Sequence, residues 1–371
     1  MILLIIGIPL GIIIGIRLST IIKRKKMAKL TLEQRLEKVY AHYEAKMRSE
    51  GMAFQVEDGK GEFRWQRETG ALKGDKSFPI ASVTKLYVTA VIMKLVDEGK
   101  LSLESKIAHY LPREVIQGLH IYKGKDYSEE LTIKQLVAQT SGLPDYYTEG
   151  VKGKPPLEQQ IGEDPELCFE EVLALNKQLS PHFEPDKKGK AFYSDMNFDL
   201  LGKIIENVTH KSLNASFKGY IYEPLGLKNT YLFEKGMAFD FPGIWIKGQS
   251  YKVPNLLASI SASGGLIATK TEMMLFLKAF WQGRLFDNSH LEEMKKYHLL
   301  QFFPMQYGVG HMRYKMPGAP EMIGHSGSTG VLCYYVPQYD VYITGCINEV
   351  NEVKATQLVL ELADCFSSSS F

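Results

Sequence analysis

Three short segments of this chain carry residue types that together suit acyl transfer. They are residues 82–85 (S-V-T-K), 193–195 (Y-S-D) and 325–327 (H-S-G). A serine hydroxyl is a poor nucleophile until a neighbouring group accepts its proton. Each segment is common alone, but in this order the three supply a nucleophile, two candidate bases and a backbone able to bind an oxyanion.

The first segment places Ser82 and Lys85 at a predicted helix start. Residues three apart on a helix lie on one face, within side-chain reach of each other. Burial would favour the neutral lysine amine, which can accept a proton, and the helix N-terminus would stabilise a developing oxyanion. The alternative is a serine N-cap followed by a surface lysine, and this segment alone favours that alternative.

The second segment places Tyr193 and Asp195 at a loop-to-helix junction, before the apolar run at residues 198–205. A tyrosinate stabilised by nearby cations can act as a general base and later protonate the leaving group. In the alternative, Tyr193 packs in the core and Asp195 caps the following helix.

The third segment precedes a predicted strand at residues 331–336. Gly327 lets a substrate lie close to the backbone. The backbone N–H groups of Ser328 and Ser82 could then form a two-donor oxyanion hole. The alternative is a turn rich in glycine and serine, with His325 facing solvent.

The elements that must position these segments are predicted strands near both chain ends, with helices between them. Apolar runs predict strands at residues 52–56, 63–65, 260–269, 309–314, 331–336 and 341–347. Helical spacing predicts helices at residues 30–47, 82–98 and 351–365. We therefore predict an α/β (α+β) fold: an antiparallel sheet flanked by helices and formed from both chain ends, with an inserted, mainly helical domain.

Composition limits the classes of function. The chain has 371 residues, 45% of them apolar and 23% charged, which is ordinary for a folded globular protein. A net charge of +2 gives no reason to expect a nucleic-acid partner. The four cysteines show no CxxC spacing and the nine histidines no HExxH spacing, so we predict no metal and no cofactor. The sequence leaves open whether Cys333 and Cys346 form a disulfide.

The three segments resemble the serine β-lactamase and penicillin-binding protein superfamily, in which S-x-x-K opens a helix. The tyrosine in the second segment and the H-x-G in the third are most similar to the class C β-lactamase-like branch. That branch includes D,D-peptidases, D-aminopeptidases and carboxylesterases. Four further stretches resemble it: residues 136–143 (LVAQTSGL), 200–206 (LLGKIIE), 223–227 (EPLGL) and 263–266 (SGGL). The likeness extends from about residue 30 to 366.

The resemblance implies a role for each matching residue. Ser82 would be the nucleophile, Lys85 its proton partner and Tyr193 the general base. The backbone N–H groups of Ser82 and Ser328 would form the oxyanion hole. The positions that would contact substrate are Asp195, His325, Ser326 and Gly327.

Three departures from the family pattern bear on the substrate. Asp195 stands where the β-lactamase branch has asparagine, so a carboxylate replaces an amide donor. His325 stands where classical members have lysine. Because histidine is not permanently charged, binding of a substrate carboxylate at this position is weakened. Gln139 replaces the usual histidine. The first two departures favour an esterase, or an amidase acting on uncharged or D-amino-acid substrates, over an efficient β-lactamase.

The N-terminal residues 1–22 form an almost purely apolar run, followed by the basic cluster K-R-K-K at 23–26. As a helix, about 22 residues reach about 33 Å, enough to cross a hydrocarbon core. Without a basic n-region or an A-x-A cleavage site, the run predicts an uncleaved transmembrane helix and a single-pass anchor in the cell membrane. The basic flank favours a cytoplasmic domain, whereas hydrolases of the resembled family often work outside. Translation from Met27 would instead leave a soluble protein.

The predicted organisation is therefore an anchor with its basic flank (1–26), a serine hydrolase domain (27–366) with a helical subdomain at about 101–240, and a disordered tail (367–371). The predicted function is hydrolysis of an ester or amide, in a small molecule or peptide, through an acyl-enzyme. The alternative is a catalytically weak, membrane-tethered, penicillin-recognising binding or scaffold protein that kept the fold.

Overall fold

An antiparallel sheet of eight strands is the frame on which the predicted site is built. The computed structural model describes residue 27 and residues 29–151 and 155–367. Fifteen strands lie in this part of the chain: β1 (Ala53–Asp58), β2 (Arg64–Glu68), β3 (Phe78–Pro79), β4 (Ile121–Tyr122), β5 (Lys125–Asp126), β6 (Tyr231–Leu232), β7 (Ile244–Ile246), β8 (Gln249–Tyr251), β9 (Leu266–Ala268), β10 (His298–Leu299), β11 (Gln306–Tyr307), β12 (Met312–Tyr314), β13 (Met322–Gly327), β14 (Val331–Val336) and β15 (Val341–Cys346).

The large sheet joins the two ends of the described chain. Its strand order is β10-β11-β12-β13-β14-β15-β1-β2, and every pairing is antiparallel. Ala53 on β1 lies opposite Cys346 on β15. The prediction of an antiparallel sheet formed from both chain ends is therefore confirmed. A small sheet, β3-β9-β6, and two hairpins, β4-β5 and β7-β8, complete the strand structure of these residues.

Helices cover both faces of the large sheet. They are α1 (Leu32–Glu44), α2 (Thr84–Asp97), α3 (Arg113–Ile116), α4 (Ile133–Val137), α5 (Phe169–Asn176), α6 (Asp195–Thr209), α7 (Leu213–Phe217), α8 (Glu223–Leu225), α9 (Pro254–Ser259), α10 (Ser261–Gly264), α11 (Lys270–Trp281), α12 (His290–Met294) and α13 (Glu352–Asp364). Helices α1 and α13 pack on one face, and α11 packs on the other, against β14 and β15.

Strand β14 shows why both faces need cover. Val331 and Cys333 point into the apolar cluster that contains α2 and α11, while Leu332 and Tyr334 point into the cluster formed with α1 and α13. Successive side chains of a strand point to opposite faces, so an uninterrupted apolar run suits a strand buried on both sides. The sequence run V-L-C-Y-Y-V thus encodes a central strand.

Residues 101–240, the predicted helical subdomain, hold α3 to α8 and only three strands of two residues each within the described ranges. Their apolar side chains belong to the same cluster as those of α2 and α11. The subdomain boundaries stay a prediction.

The prediction of an N-terminal transmembrane helix, and with it a single-pass membrane location, is contradicted. None of the helices in the described part of the chain is long and apolar enough to cross a membrane. The longest, α6, has 15 residues and spans about 22 Å, whereas a hydrocarbon core is about 30 Å thick. The predicted anchor (1–26), and all of the predicted tail except Ser367, lie outside the described residues.

Candidate active site

Ser82 lies on a tight turn between the small sheet and helix α2. Strand β3 leads into a 3-10 turn, Ala81–Val83, that continues directly into α2. The N–H of Ile80 donates to the carbonyl of Leu266 on β9 at 2.9 Å, which fixes the entry to the turn. Ala81 has a φ of +45°, a left-handed conformation that is uncommon for a residue with a side chain. Strain of this kind persists where the surrounding structure holds it, and it is common at catalytic turns.

Lys85 lies one turn further along and is completely buried. Its Nζ donates to Ser82 Oγ at 3.0 Å and to the carbonyl of Ser263 at 2.6 Å, and it forms an ion pair with Asp195 Oδ1 at 2.7 Å. An ammonium has three N–H donors, so these three oxygens match it one for one. These three contacts suit an ammonium group that positions Ser82, and the role of Lys85 as proton partner stays a prediction.

Tyr193 lies directly beside this lysine. The centroid of its ring is 5.0 Å from Lys85 Nζ, and the rings of Tyr307 and His325 pack against its other sides. Its backbone is held by the side-chain amide of Gln301: the N–H of Tyr193 donates to Gln301 Oε1 at 2.9 Å, and Gln301 Nε2 donates to the Tyr193 carbonyl at 3.3 Å. This clamp fixes the position of the tyrosine, and no motif in the sequence around residue 301 indicated it.

Gln139 holds the rest of the Tyr193–Asp195 turn. Its side chain accepts from the N–H of Ser194 at 3.0 Å and donates to the Ser194 carbonyl at 3.2 Å. The hydroxyl of Ser194 donates to the carbonyl of Pro144 at 2.7 Å. Gln139, which replaces the family's histidine, is thus buried and links residues 136–143 to residues 193–195. An amide suits this position because it can both donate and accept a hydrogen bond.

The third segment ends strand β13 beside the Ser82 turn. A Cβ added at Gly327 would lie 2.6 Å from the carbonyl oxygen of Ile80, so only glycine fits at this approach. The hydroxyl of Thr329 donates to the carbonyl of Pro79 at 3.2 Å and fastens the two segments together. The backbone at Ser328 is thereby brought next to the turn of Ser82, as a two-donor oxyanion hole requires.

His325 is placed differently from the other residues predicted to contact substrate. It is fully buried behind Tyr193 and is not among the described residues that line the cavity at Ser82. Its Nδ1 lies 2.7 Å from the Ser326 carbonyl, which can only accept, so Nδ1 carries the proton and Nε2 accepts from the hydroxyl of Tyr307 at 3.2 Å. Burial, helped by the charge of Lys85, lowers the pKa of His325 to about 3. The ring is therefore neutral at physiological pH.

Two further buried carboxyl groups flank Asp195. Asp145 Oδ1 accepts the backbone N–H of Asp195 at 3.0 Å, and Asp199 follows one helical turn later in α6. Burial, and then the negative charge of Asp195, raise the pKa of Asp145 and of Asp199 to about 7. Near neutral pH, each of these two groups is protonated in a sizeable fraction of molecules.

A cavity of about 420 Å³ opens above these residues. All three predicted segments contribute to its wall, through Ser82, Tyr193, Asp195, Ser326, Gly327 and Ser328. Within residues 27, 29–151 and 155–367, no group of three or more His, Cys, Asp and Glu side chains could hold a metal ion. The four cysteines are free thiols.

Comparison with known proteins identifies the family. A model of the Beta-lactamase family matches residues 36–363. The chain belongs to the beta-lactamase family. The resemblance drawn from the sequence motifs is therefore confirmed, whereas membership of the class C branch stays a prediction.

Three relatives illustrate the range of this family. "Protein flp" of Staphylococcus aureus (strain MW2) is 34% identical over 154 residues, which cover 41% of this chain and only about a quarter (27%) of that protein. The N-acetylmuramyl-L-alanine amidase of Bacillus subtilis (strain 168) is 24% identical over 323 residues, covering 76% of this chain and 70% of the amidase. The crystal structure of a D-stereospecific amidohydrolase from Streptomyces sp. is 25% identical, with a TM-score of 0.70, covering 88% of this chain and 96% of that one. Two of these three relatives are amide hydrolases by name, which supports the hydrolase prediction at family level.

Proposed function

We propose that this beta-lactamase family member is a serine hydrolase that forms an acyl-enzyme on Ser82. Its substrate would be an ester or amide, in a small molecule or peptide, that carries no carboxylate beside the scissile bond. The observation that carries the proposal is the contact of 3.0 Å between Lys85 Nζ and Ser82 Oγ, at the wall of a cavity that Tyr193 also lines.

In the proposed reaction, Ser82 Oγ attacks the substrate carbonyl and its proton passes to the oxygen of the Tyr193 phenolate. The ammonium of Lys85 lies close to this ring and stabilises the negative form. The N–H groups of Ser82 and Ser328 stabilise the oxyanion of the tetrahedral intermediate. Tyr193 then returns the proton to the leaving oxygen or nitrogen as that bond breaks. Attack by water on the acyl-enzyme repeats the sequence and frees Ser82.

The charges at the cavity wall support a substrate without a carboxylate. Among the described residues that line the cavity there is no lysine, arginine or histidine. The carboxyl groups of Asp145, Glu158 and Asp195 lie on the same wall. A carboxylate bound there would lose hydration without gaining a cationic partner on the cavity wall. Penicillins and peptides ending in D-alanine carry such a carboxylate, so esters and uncharged or amine-bearing amides fit better.

The nucleophile can be tested by intact-protein mass spectrometry after incubation with a fluorophosphonate. We expect one adduct on the wild-type protein, located at Ser82, and none on Ser82→Ala. Ser180→Ala is the matched control, because Ser180 is exposed and outside the cavity, and it should be labelled like wild type. An adduct of equal yield on Ser82→Ala would show that another residue is the nucleophile.

The substrate preference can be tested with the same preparation. We expect p-nitrophenyl butyrate to be turned over faster than nitrocefin or a D-alanyl-D-alanine peptide, because only the ester lacks a carboxylate. Nitrocefin turnover far above ester turnover would overturn this preference. A stable acyl complex that releases no product over hours would instead support the binding-protein alternative.

A further inference from the structure

The rim of the cavity is unusually apolar. In the described part of the chain, nine large apolar side chains are exposed, and four of them line this one cavity. These four are Phe302, Phe303, Met316 and Val353, with 49%, 76%, 43% and 69% of their surfaces exposed. Apolar side chains that gather at one place on a surface mark binding sites, whereas scattered ones do not.

Two of these side chains stand on fixed backbone. Phe303 lies in a loop closed by hydrogen bonds from Met305 N–H to the Phe302 carbonyl (2.8 Å) and from Leu300 N–H to the Met305 carbonyl (3.1 Å). Val353 lies in the first turn of α13, where Asn351 caps the helix by accepting the N–H of Lys354. The backbone at these two positions is therefore held in place before a ligand binds, which lowers the entropic cost of binding.

One cavity is lined both by buried polar groups and by exposed apolar ones. Asp145 and Asp195 are buried, whereas Phe303 and Val353 are largely exposed. A volume of about 420 Å³ is within the range of sites that enclose most of a small organic ligand. A substrate that fills it would place an apolar portion against these exposed side chains.

We propose that this cavity selects esters or amides with an apolar alkyl or aryl substituent of several carbons, and that Phe303 and Val353 hold this substituent. The inference rests on the proposed function, since it deepens the specificity of the same site. Its physical basis is the removal of the substituent and of the rim side chains from water. Full burial of one methylene is worth roughly four-fold in a binding constant, so partial burial at an open rim should give about two- to four-fold.

The test is kcat/KM of the wild-type protein on two series of esters. In the first, p-nitrophenyl acetate, butyrate and octanoate vary the acyl chain; in the second, ethyl, butyl and octyl acetate vary the alcohol. We expect kcat/KM to rise about two- to four-fold per methylene in at least one series. A flat response in both series, with Ser82 still labelled by the fluorophosphonate, would overturn the inference and leave the proposed function intact. Absence of both labelling and hydrolysis would mean that the proposed function itself is wrong.

Variants locate the apolar site. In the series that responds, Phe303→Ser and Val353→Ser should each lower the ratio of kcat/KM for the longest to the shortest ester by about five-fold, because a polar group replaces apolar contact area. Ile121→Ser is the matched control: Ile121 is 52% exposed, like the rim residues, but lies on β4 outside the cavity. Ratios in the two rim variants equal to that of the control would overturn the assignment of these residues.

Discussion

Replacing Asp199 by asparagine should change how the stability of the fold depends on pH. Asp199 is buried in α6, where its Oδ2 accepts the hydroxyl of Tyr146 at 2.8 Å. Burial, and then the charge of Asp195, raise its pKa from 3.8 to about 7. The folded protein therefore keeps a proton that the unfolded chain releases. Because the folded pKa of an acid is raised, its stabilising effect is complete below pH 3.8 and is lost as pH rises towards 7.

The size of the effect follows from this difference in pKa. A difference of one bound proton between the folded and unfolded states changes the unfolding free energy by about 1.4 kcal/mol per pH unit. Asp199 alone therefore lowers the unfolding free energy by about 4 kcal/mol as pH rises from 3.8 to about 7. Asparagine does not ionise, and its side-chain oxygen can still accept the Tyr146 hydroxyl. We therefore expect Asp199→Asn to gain stability relative to wild type as pH rises, by a few kcal/mol between pH 4.5 and 8.

Urea unfolding followed by circular dichroism at pH 4.5, 6 and 8 would measure this change. Asp287→Asn is the control, because hydrogen bonds from Ser289 lower the pKa of Asp287 below 3.8, so that its removal should cost the same stability at all three pH values. If the difference between Asp199→Asn and wild type were the same at all three pH values, Asp199 would be ionised in the folded protein and the reasoning would fail.

Two further predictions concern backbone positions at the site. Gln301→Ala removes both hydrogen bonds to the Tyr193 backbone, so we expect kcat for p-nitrophenyl butyrate to fall about ten- to a hundred-fold with little change in KM. Gln301→Glu keeps an acceptor for the Tyr193 N–H, so its kcat should fall less. An unchanged kcat in Gln301→Ala would contradict the positioning role. Gly327→Ala would force a Cβ to 2.6 Å from the Ile80 carbonyl, so fluorophosphonate labelling of Ser82 should slow and unfolding free energy should fall by about 1–3 kcal/mol. Gly219→Ala, where an added Cβ meets nothing within 4 Å, should leave both measurements near wild type.

The sheet was predictable from sequence wherever its strands are buried on both faces. Strands β14 and β15 lie within one residue of their predicted positions, because continuous apolar runs bounded by Pro337 and Asp340 leave few alternatives. Prediction failed at residues 260–269, where only β9 is a strand and α10 precedes it. Small residues such as those of S-A-S-G carry little periodic signal, and contact with α2 and α6 decides their conformation. Similarly, β13 includes residues 325–327, for which a turn was one interpretation.

At the site, sequence predicted which segments meet but not how each side chain is used. Ser82 and Tyr193 line one cavity, and Lys85 lies against both of them; the catalytic roles of all three stay a prediction. Sequence could not show that His325 would be buried and neutral, because a histidine's pKa depends on its surroundings. The clamp by Gln301 could not be found either, since its partner is 108 residues away in the chain. Such long-range partners exist only once the tertiary structure has formed.

The pairing of β1 with β15 has a consequence for biosynthesis. Strand β1 begins at Ala53 and its partner β15 ends at Cys346. The ribosome must therefore synthesise almost 300 further residues before β1 can pair with β15. Contacts between distant parts of a chain form late and slowly. The turn at Gly327 reaches Ser82 only in that same late stage. The two segments of the predicted oxyanion hole therefore stay apart during most of synthesis, and we expect reactivity at Ser82 to arise abruptly, after translation has passed the final strand.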